Sequence, residues 1–233
     1  MSAISLADLA RFRERSYRLL SQSFLYPDDA VVQAACEQAQ EIAEERAILA
    51  EMAYSPQLDS LRSLWCQMDD ARLARMRTRY VSLFAAAADE VPCPPYESSY
   101  SAGGATSDGL VLASIERDYA TAGLSGAGEK KLSPDHISME AEFLAILCGR
   151  EAQAWETDHG RQGRHHLAQE RKFIETHLGS WLPAFAFAVQ RVDEGGVYAE
   201  IAAATLSFVT HERDLTDELA TLLSVEGEQH EPA

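Results

Sequence analysis

Asp135, His136 and Glu140 are the residues whose types and spacing most invite chemistry. A carboxylate beside an imidazole, with a second carboxylate one helical turn on, could offer metal ligands from one helix face or move a proton. A di-metal helical bundle, however, needs further carboxylates and a second Glu-x-x-His element, and the sequence supplies neither. His159, His165, His166 and His177 add imidazoles, but His165 and His166 are adjacent and point in different directions on a helix. There is no HExxH and no GxxxxGK[ST], so metalloprotease and P-loop chemistry lack their signatures. Two quieter roles fit the same residues. Asp135 could accept backbone N–H groups at a helix start while His136 bonds a nearby loop or pairs with Glu140. Equally, the pair could offer fixed polar groups to a bound peptide whose side chains enter apolar walls.

The element that must position these residues is the stretch Ser133 to Leu144. Ser133 suits an N-cap, Pro134 the first helical position, and Asp135 the first turn, where the helix dipole favours negative charge. Ile137, Ala141, Leu144 and Cys148 recur at helical spacing beside a second stripe of His136, Glu140, Phe143 and Leu147, which predicts a central helix from about 134 to 157. Upstream, helices are expected over about 5–26, with Leu9, Phe12, Leu19, Leu20 and Phe24 inward, from Asp28 or Asp29 to about 52, and from Pro56. Asp69-Asp70 opens another that carries Leu73, Met76, Tyr80, Leu83 and Phe84. On periodicity Tyr80, Leu83 and Phe84 are core.

Residues 89–107 interrupt the helices, because the prolines of Val91-Pro-Cys-Pro-Pro95 remove donors and hold their neighbours extended. The polar run from Ser98 to Gly104 reads as a mobile binding rim bearing Tyr96 and Tyr100. A helix over 108–122 follows, with Leu110, Ile115 and Tyr119 inward and Gly123 as its stop. The Gly-rich stretch 123–132 is expected to be a hinge between a larger N-terminal portion, about 1–122, and a smaller C-terminal one, about 133–224, and it would permit a domain-swapped dimer as well as a monomer. Helices over 165–178, closed by Gly179, from Trp181 to before Val192, and over 197–223 complete a single all-α domain spanning 1–233, with an acidic tail at 225–233. Strand-like alternation is not sustained anywhere.

The formal charge of −17 disfavours nucleic acid and anionic lipid as partners and favours a basic or cationic-amphipathic one. The four cysteines are far apart and form no CxxC, so each is expected to be a reduced thiol used as a small hydrophobe. Asp8 and Arg11 interrupt the first residues before an apolar run could make a signal peptide, and 182–189 is too short to cross a bilayer, so a cytoplasmic protein without stable membrane insertion is expected.

The string Pro134-Asp135-His136-Ile137, with Glu140 and Glu142-Phe143-Leu144, resembles the signature of the TorD/DmsD/NarJ family of molybdoenzyme maturation chaperones. Tyr80-x-x-Leu83-Phe84, Pro94-Pro95-Tyr96-Glu97-Ser98-Ser99-Tyr100 and His177-Leu178-x-x-Trp181-Leu182-Pro183 resemble further blocks, in the same order. The resemblance implies a TorD-like helical fold and a non-catalytic chaperone. Its partner would be the precursor of a molybdoenzyme catalytic subunit, whose twin-arginine leader, or an equivalent N-terminal segment, it holds until the molybdopterin guanine dinucleotide cofactor has been inserted. Tyr80, Leu83, Phe84, Pro95, Tyr96, Asp135 and His136 would lie around the leader groove, with Glu140 beside them. Tyr80 and Tyr96 stand where some relatives carry tryptophan. The resemblance implies no resident cofactor, with GTP or molybdopterin guanine dinucleotide as a transient ligand. A guanine-nucleotide-dependent assembly factor and a metal-dependent hydrolase built on Asp135, His136 and Glu140 are the alternatives.

Overall fold

The computed structural model describes residues 4–52, 54–85, 91–101, 105–124 and 132–229. Helix α1 (Leu6–Ser23) starts where the Ser5 side chain accepts the Asp8 N–H. Asp28 does the same for Val31 at α2 (Asp29–Glu44), and Asp69 for Arg72 at α5 (Asp70–Tyr80). Between these lie the single turn α3 (Arg46–Leu49) and α4 (Ser55–Cys66), which Pro56 enters in its first turn. The helix predicted to run to 52 is therefore broken at Glu45. Helix α5 continues as a π-helical turn over Val81–Ala85, which swings Leu83 and Phe84 into the core.

The second half contains α6 (Ala105–Thr121), α7 (Ile137–Glu156), α8 (Gly160–Thr176), α9 (Leu178–Val192) and α10 (Val197–Gln229). Gly123 ends α6 with φ +73°, the left-handed conformation its sequence position predicted. Gly179 does not close α8. It lies in the first turn of α9, where a Cβ would stand 2.5 Å from the Ile174 carbonyl oxygen, so the tight α8–α9 corner requires glycine. Helix α10 reaches past 223, into the stretch expected to be a frayed tail. Most of the predicted hinge, 125–131, lies outside the described residues.

Among the described residues the fold is all-α, its one β-type pairing being an isolated antiparallel bridge between Tyr96 and His136. Helix α1 packs along α7 and against α2, α8 packs against both α7 and α10, and α9 lies against α10 and α8. One continuous core runs from Phe12 through Trp65, Phe84, Leu144 and Phe185 to Val209. No helix of the described residues is long and apolar enough to cross a membrane.

A polar knot sits inside this core. Arg13 of α1 is fully buried and donates from Nη1 to Glu151 of α7 at 2.8 Å, from Nη2 to Glu170 of α8 at 2.6 Å, and from Nε to Glu212 of α10 at 2.7 Å. One guanidinium thus ties four helices.

Two further expectations fail. Leu110, expected to face inward, is 71 % exposed, because the buried face of α6 is the one carrying Ile115 and Tyr119. Cys36 and Cys66 are not separate thiols: packing of α2 on α4 brings their Cα atoms to 4.9 Å and they pair as a disulfide. Cys93 and Cys148 are free and buried, as small hydrophobes would be.

Candidate functional site

The helix entrance differs from the sequence reading in a way that decides how its polar residues work. Ser133 is not the N-cap. Residues before Ile137 are held outside the helix because the Ile137 N–H donates to the Pro95 carbonyl and the Glu97 N–H to the Asp135 carbonyl. His136 is therefore extended, at φ −73° and ψ 136°, and becomes the cap of α7 itself, its Nδ1 accepting the Ser138 N–H at 3.1 Å. With Nδ1 an acceptor, the neutral ring carries its proton on Nε2. Burial pushes the His136 imidazole down to about 4, against the smaller opposing pull of Asp135, so the ring is neutral at physiological pH. Nε2 makes no hydrogen bond to a described residue, which leaves one N–H donor at this corner.

Asp135 turns the other way. Its Oδ2 accepts the Ser98 hydroxyl at 2.6 Å and the Ser98 N–H at 3.3 Å. Residues 97–100, expected to be a mobile rim, form a 3-10 turn strapped to the α7 entrance. Glu97 in that turn accepts from His177 Nδ1 at 2.9 Å, while Nε2 of the same ring stands 3.5 Å from Asp118 Oδ2 and from Ser114 Oγ. Tyr100 stacks on Trp181, with centroids 5.5 Å apart. Trp181 in turn donates from Nε1 to Glu140 Oε2 at 3.1 Å. Burial, and then the facing carboxylate of Glu97, hold the Glu140 carboxyl well above the ordinary carboxylate range.

The structure thus gathers all eight sequence-predicted residues in one region, but on two levels. Asp135, His136 and Glu140 are 2 %, 1 % and 0 % exposed, and Leu83, Phe84 and Pro95 are buried as well. Only Tyr80 and Tyr96 reach the surface. Tyr96 meets the His136 ring edge to face at 5.1 Å. Tyr80 meets Phe84 at 5.3 Å and Tyr26 at 5.5 Å, and its hydroxyl, pushed up to about 12 chiefly by burial, feels that of Tyr96. Tyr26 and Val81, both nearly half exposed, extend this aromatic surface, and neither was singled out in the sequence. Tyr26 was visible only as the last aromatic before Pro27. Glu97, His177 and Trp181 were present in the family-like blocks, but nothing in their spacing announced that they lock together.

Among the described residues no group of three or more histidine, cysteine, aspartate or glutamate side chains is arranged to hold a metal ion. His136 and Glu140 are committed to Ser138 and Trp181, so the pair that a hydrolase would use is occupied by structural work.

The sequence profile of the nitrate reductase delta subunit family matches residues 33–186. The chaperone protein TorD of Vibrio cholerae is 34 % identical over 85 residues, which is 36 % of this chain and 37 % of that protein, so this match spans little more than a third of the relative. TorD of Vibrio parahaemolyticus is 25 % identical over 66 % of this chain and 70 % of its own length. The selenate reductase assembly chaperone of Thauera selenatis is 34 % identical over 39 % of this chain and 45 % of its own. A crystal structure from Archaeoglobus fulgidus, described as a redox enzyme maturation protein, shares the fold with a TM-score of 0.55 and 23 % identity over 84 % of this chain and 93 % of that one. These names are those of chaperones and assembly proteins rather than catalysts. With about two thirds of its length inside the family profile, the chain belongs to the nitrate reductase delta subunit family, the TorD/NarJ family of molybdoenzyme maturation chaperones.

Proposed function

We propose that this protein is a chaperone for the catalytic subunit of a molybdoenzyme and that it holds the N-terminal leader of that subunit before assembly. The observation that carries the reading is the convergence of three family-like segments on one aromatic surface, with Tyr80 and Tyr96 outermost and the buried His136 ring packed against Tyr96. The apolar stretch of a leader lies over Tyr26, Tyr80 and Tyr96, backed by Leu83, Phe84 and Pro95. His136, its ring buried beneath Tyr96, supports that surface by capping α7 rather than by meeting the leader. Asp135 contributes by holding Ser98, and through it the 97–100 turn, rather than by meeting the leader directly; Glu140 fixes Trp181 beneath that turn. The acidity of the chain complements two leader guanidiniums, which pair strongly with carboxylates.

The test is affinity capture of the tagged protein from cells that make the redox enzyme, with mass spectrometry of what is retained. The expected catch is a molybdoenzyme catalytic subunit that still carries its leader. Retention of none under those conditions would remove the assignment.

A further inference from the structure

On the far side of α5 from its partners on α2 lies a cleft of about 450 Å³, lined by Leu64, Met68, Met76 and Val197 on its floor and by Arg72, Arg75 and Arg79 on its rim. The three arginines follow at i, i+3 and i+7, so they share one face of α5. Arg77 points elsewhere, to the Pro27 carbonyl and Asp29. Residues 72–79 carry four arginines on a chain of net charge −17, three of them on this cleft. Arg79 is fixed in place by Asp193 and by the Val192 carbonyl. Asp193 is itself committed to the N–H groups of Tyr198 and Ala199 at the start of α10. Arg72 reaches the Gln67 carbonyl at 3.1 Å. Arg75 is exposed and makes no ion pair with a described residue. Asp193 and Glu200 are the acidic groups on the lining and Asp69 stands 3.9 Å from Arg72 Nε, so Arg75 carries the charge that no carboxylate among the described residues meets. The cleft shares Leu64, Arg72 and Glu200 with a second hollow of about 470 Å³ along α4, reaching Asp59, Ser60 and Ser63.

We infer that this trough is a second binding surface, for an acidic amphipathic segment of a protein partner. Its open, elongated shape suits a run of peptide more than an enclosed small molecule. Guanidinium forks on the rim match carboxylates, and an apolar floor with two methionines adapts to varied side chains. Nucleic acid would meet the remaining surface charge as repulsion. A twin-arginine leader is excluded on sign, so this surface is chemically distinct from the aromatic one.

The probe is a fluorescein-labelled peptide of about 14 residues with glutamate and leucine at helical spacing, paired with a version carrying lysine in place of glutamate, both read by anisotropy. Binding of the acidic version only is expected, weakened at least tenfold by Arg75→Glu, with Arg72→Glu acting in the same direction and circular dichroism unchanged in both. Equal binding by the Arg75→Glu variant, or by the lysine peptide, would overturn the inference. So would displacement by inorganic phosphate alone, which would mark a plain anion site. A change in sedimentation of the protein without peptide on Arg75→Glu would assign the trough to a second copy of this chain instead.

Discussion

Replacing Arg13 with leucine is expected to cost about 3–5 kcal/mol, the usual loss when one partner of a buried ion cluster is removed, out of a total stability of about 5–15 kcal/mol. The magnitude follows from what is left behind. Glu151, Glu170 and Glu212 approach one guanidinium from three helices, and all are excluded from water. Without the cation they must be protonated or leave the core. The wild-type cluster already carries more negative than positive groups. Burial, and then the charge of Glu151, hold the Glu170 carboxyl well above its ordinary range, and burial raises Glu151 as well. A carboxyl whose folded pKa exceeds its unfolded value stabilises fully below the unfolded value, near 4.5, and loses that contribution as pH rises through the folded value. Urea melts of Arg13→Leu should therefore be least stable at pH 8 and recover toward pH 5, more steeply than wild type. Replacing Glu170 and Glu212 by methionine in the same background, with Glu151→Gln to keep an acceptor for Trp155, should restore much of the loss. An unchanged urea midpoint for Arg13→Leu would show that the cluster does not bear on stability.

Trp181→Ala should cost a similar amount, about 3–5 kcal/mol, by emptying a buried indole site. It also strands Glu140, whose other oxygen has no donor, and removes the ring on which Tyr100 stacks. Thermal melts should fall, and the amides of residues 97–101 should exchange with solvent faster than in wild type, because the turn loses its floor. Trp181→Phe separates the two effects. It keeps an aromatic surface for Tyr100 but deletes the Nε1–H, so it should cost only about 1–3 kcal/mol, the penalty of an unsatisfied buried acceptor. Equal protection of 97–101 in Trp181→Ala would mean that the turn is held by Asp135 and His177 alone.

The helical class was legible because period-3.6 stripes recur along the chain, and α7 showed its two buried stripes directly. Its start was misread for a tertiary reason. Ser133 and Pro134 satisfy local capping rules, yet residues 133–136 close a separate turn, the Pro95 carbonyl and the Tyr96–His136 bridge delay the helix to Ile137, and an imidazole does the capping. The proline loop was recognisable as non-helical, but its 3-10 turn depends on Asp135 and His177, 37 and 80 residues away. The disulfide was hidden likewise, since only the packing of α2 on α4 unites Cys36 and Cys66. Arg13 had a weak signal. It falls four residues after Leu9 and seven before Leu20, on the apolar stripe of α1, where an arginine needs buried acceptors that the sequence does not locate.

The site residues were named as one groove, whereas they divide into an aromatic surface and the polar frame beneath it. That division makes Tyr96 the informative position, because it is accessible and its backbone bridge survives truncation of the ring. The most direct measurement is a calorimetric titration of the client subunit's synthetic leader into wild type and Tyr96→Ala. Saturable binding by wild type, weakened about tenfold in the variant, or about 1.4 kcal/mol, with an unchanged melting temperature, is the predicted result. Equal affinity for the two proteins would contradict the account and place the leader elsewhere.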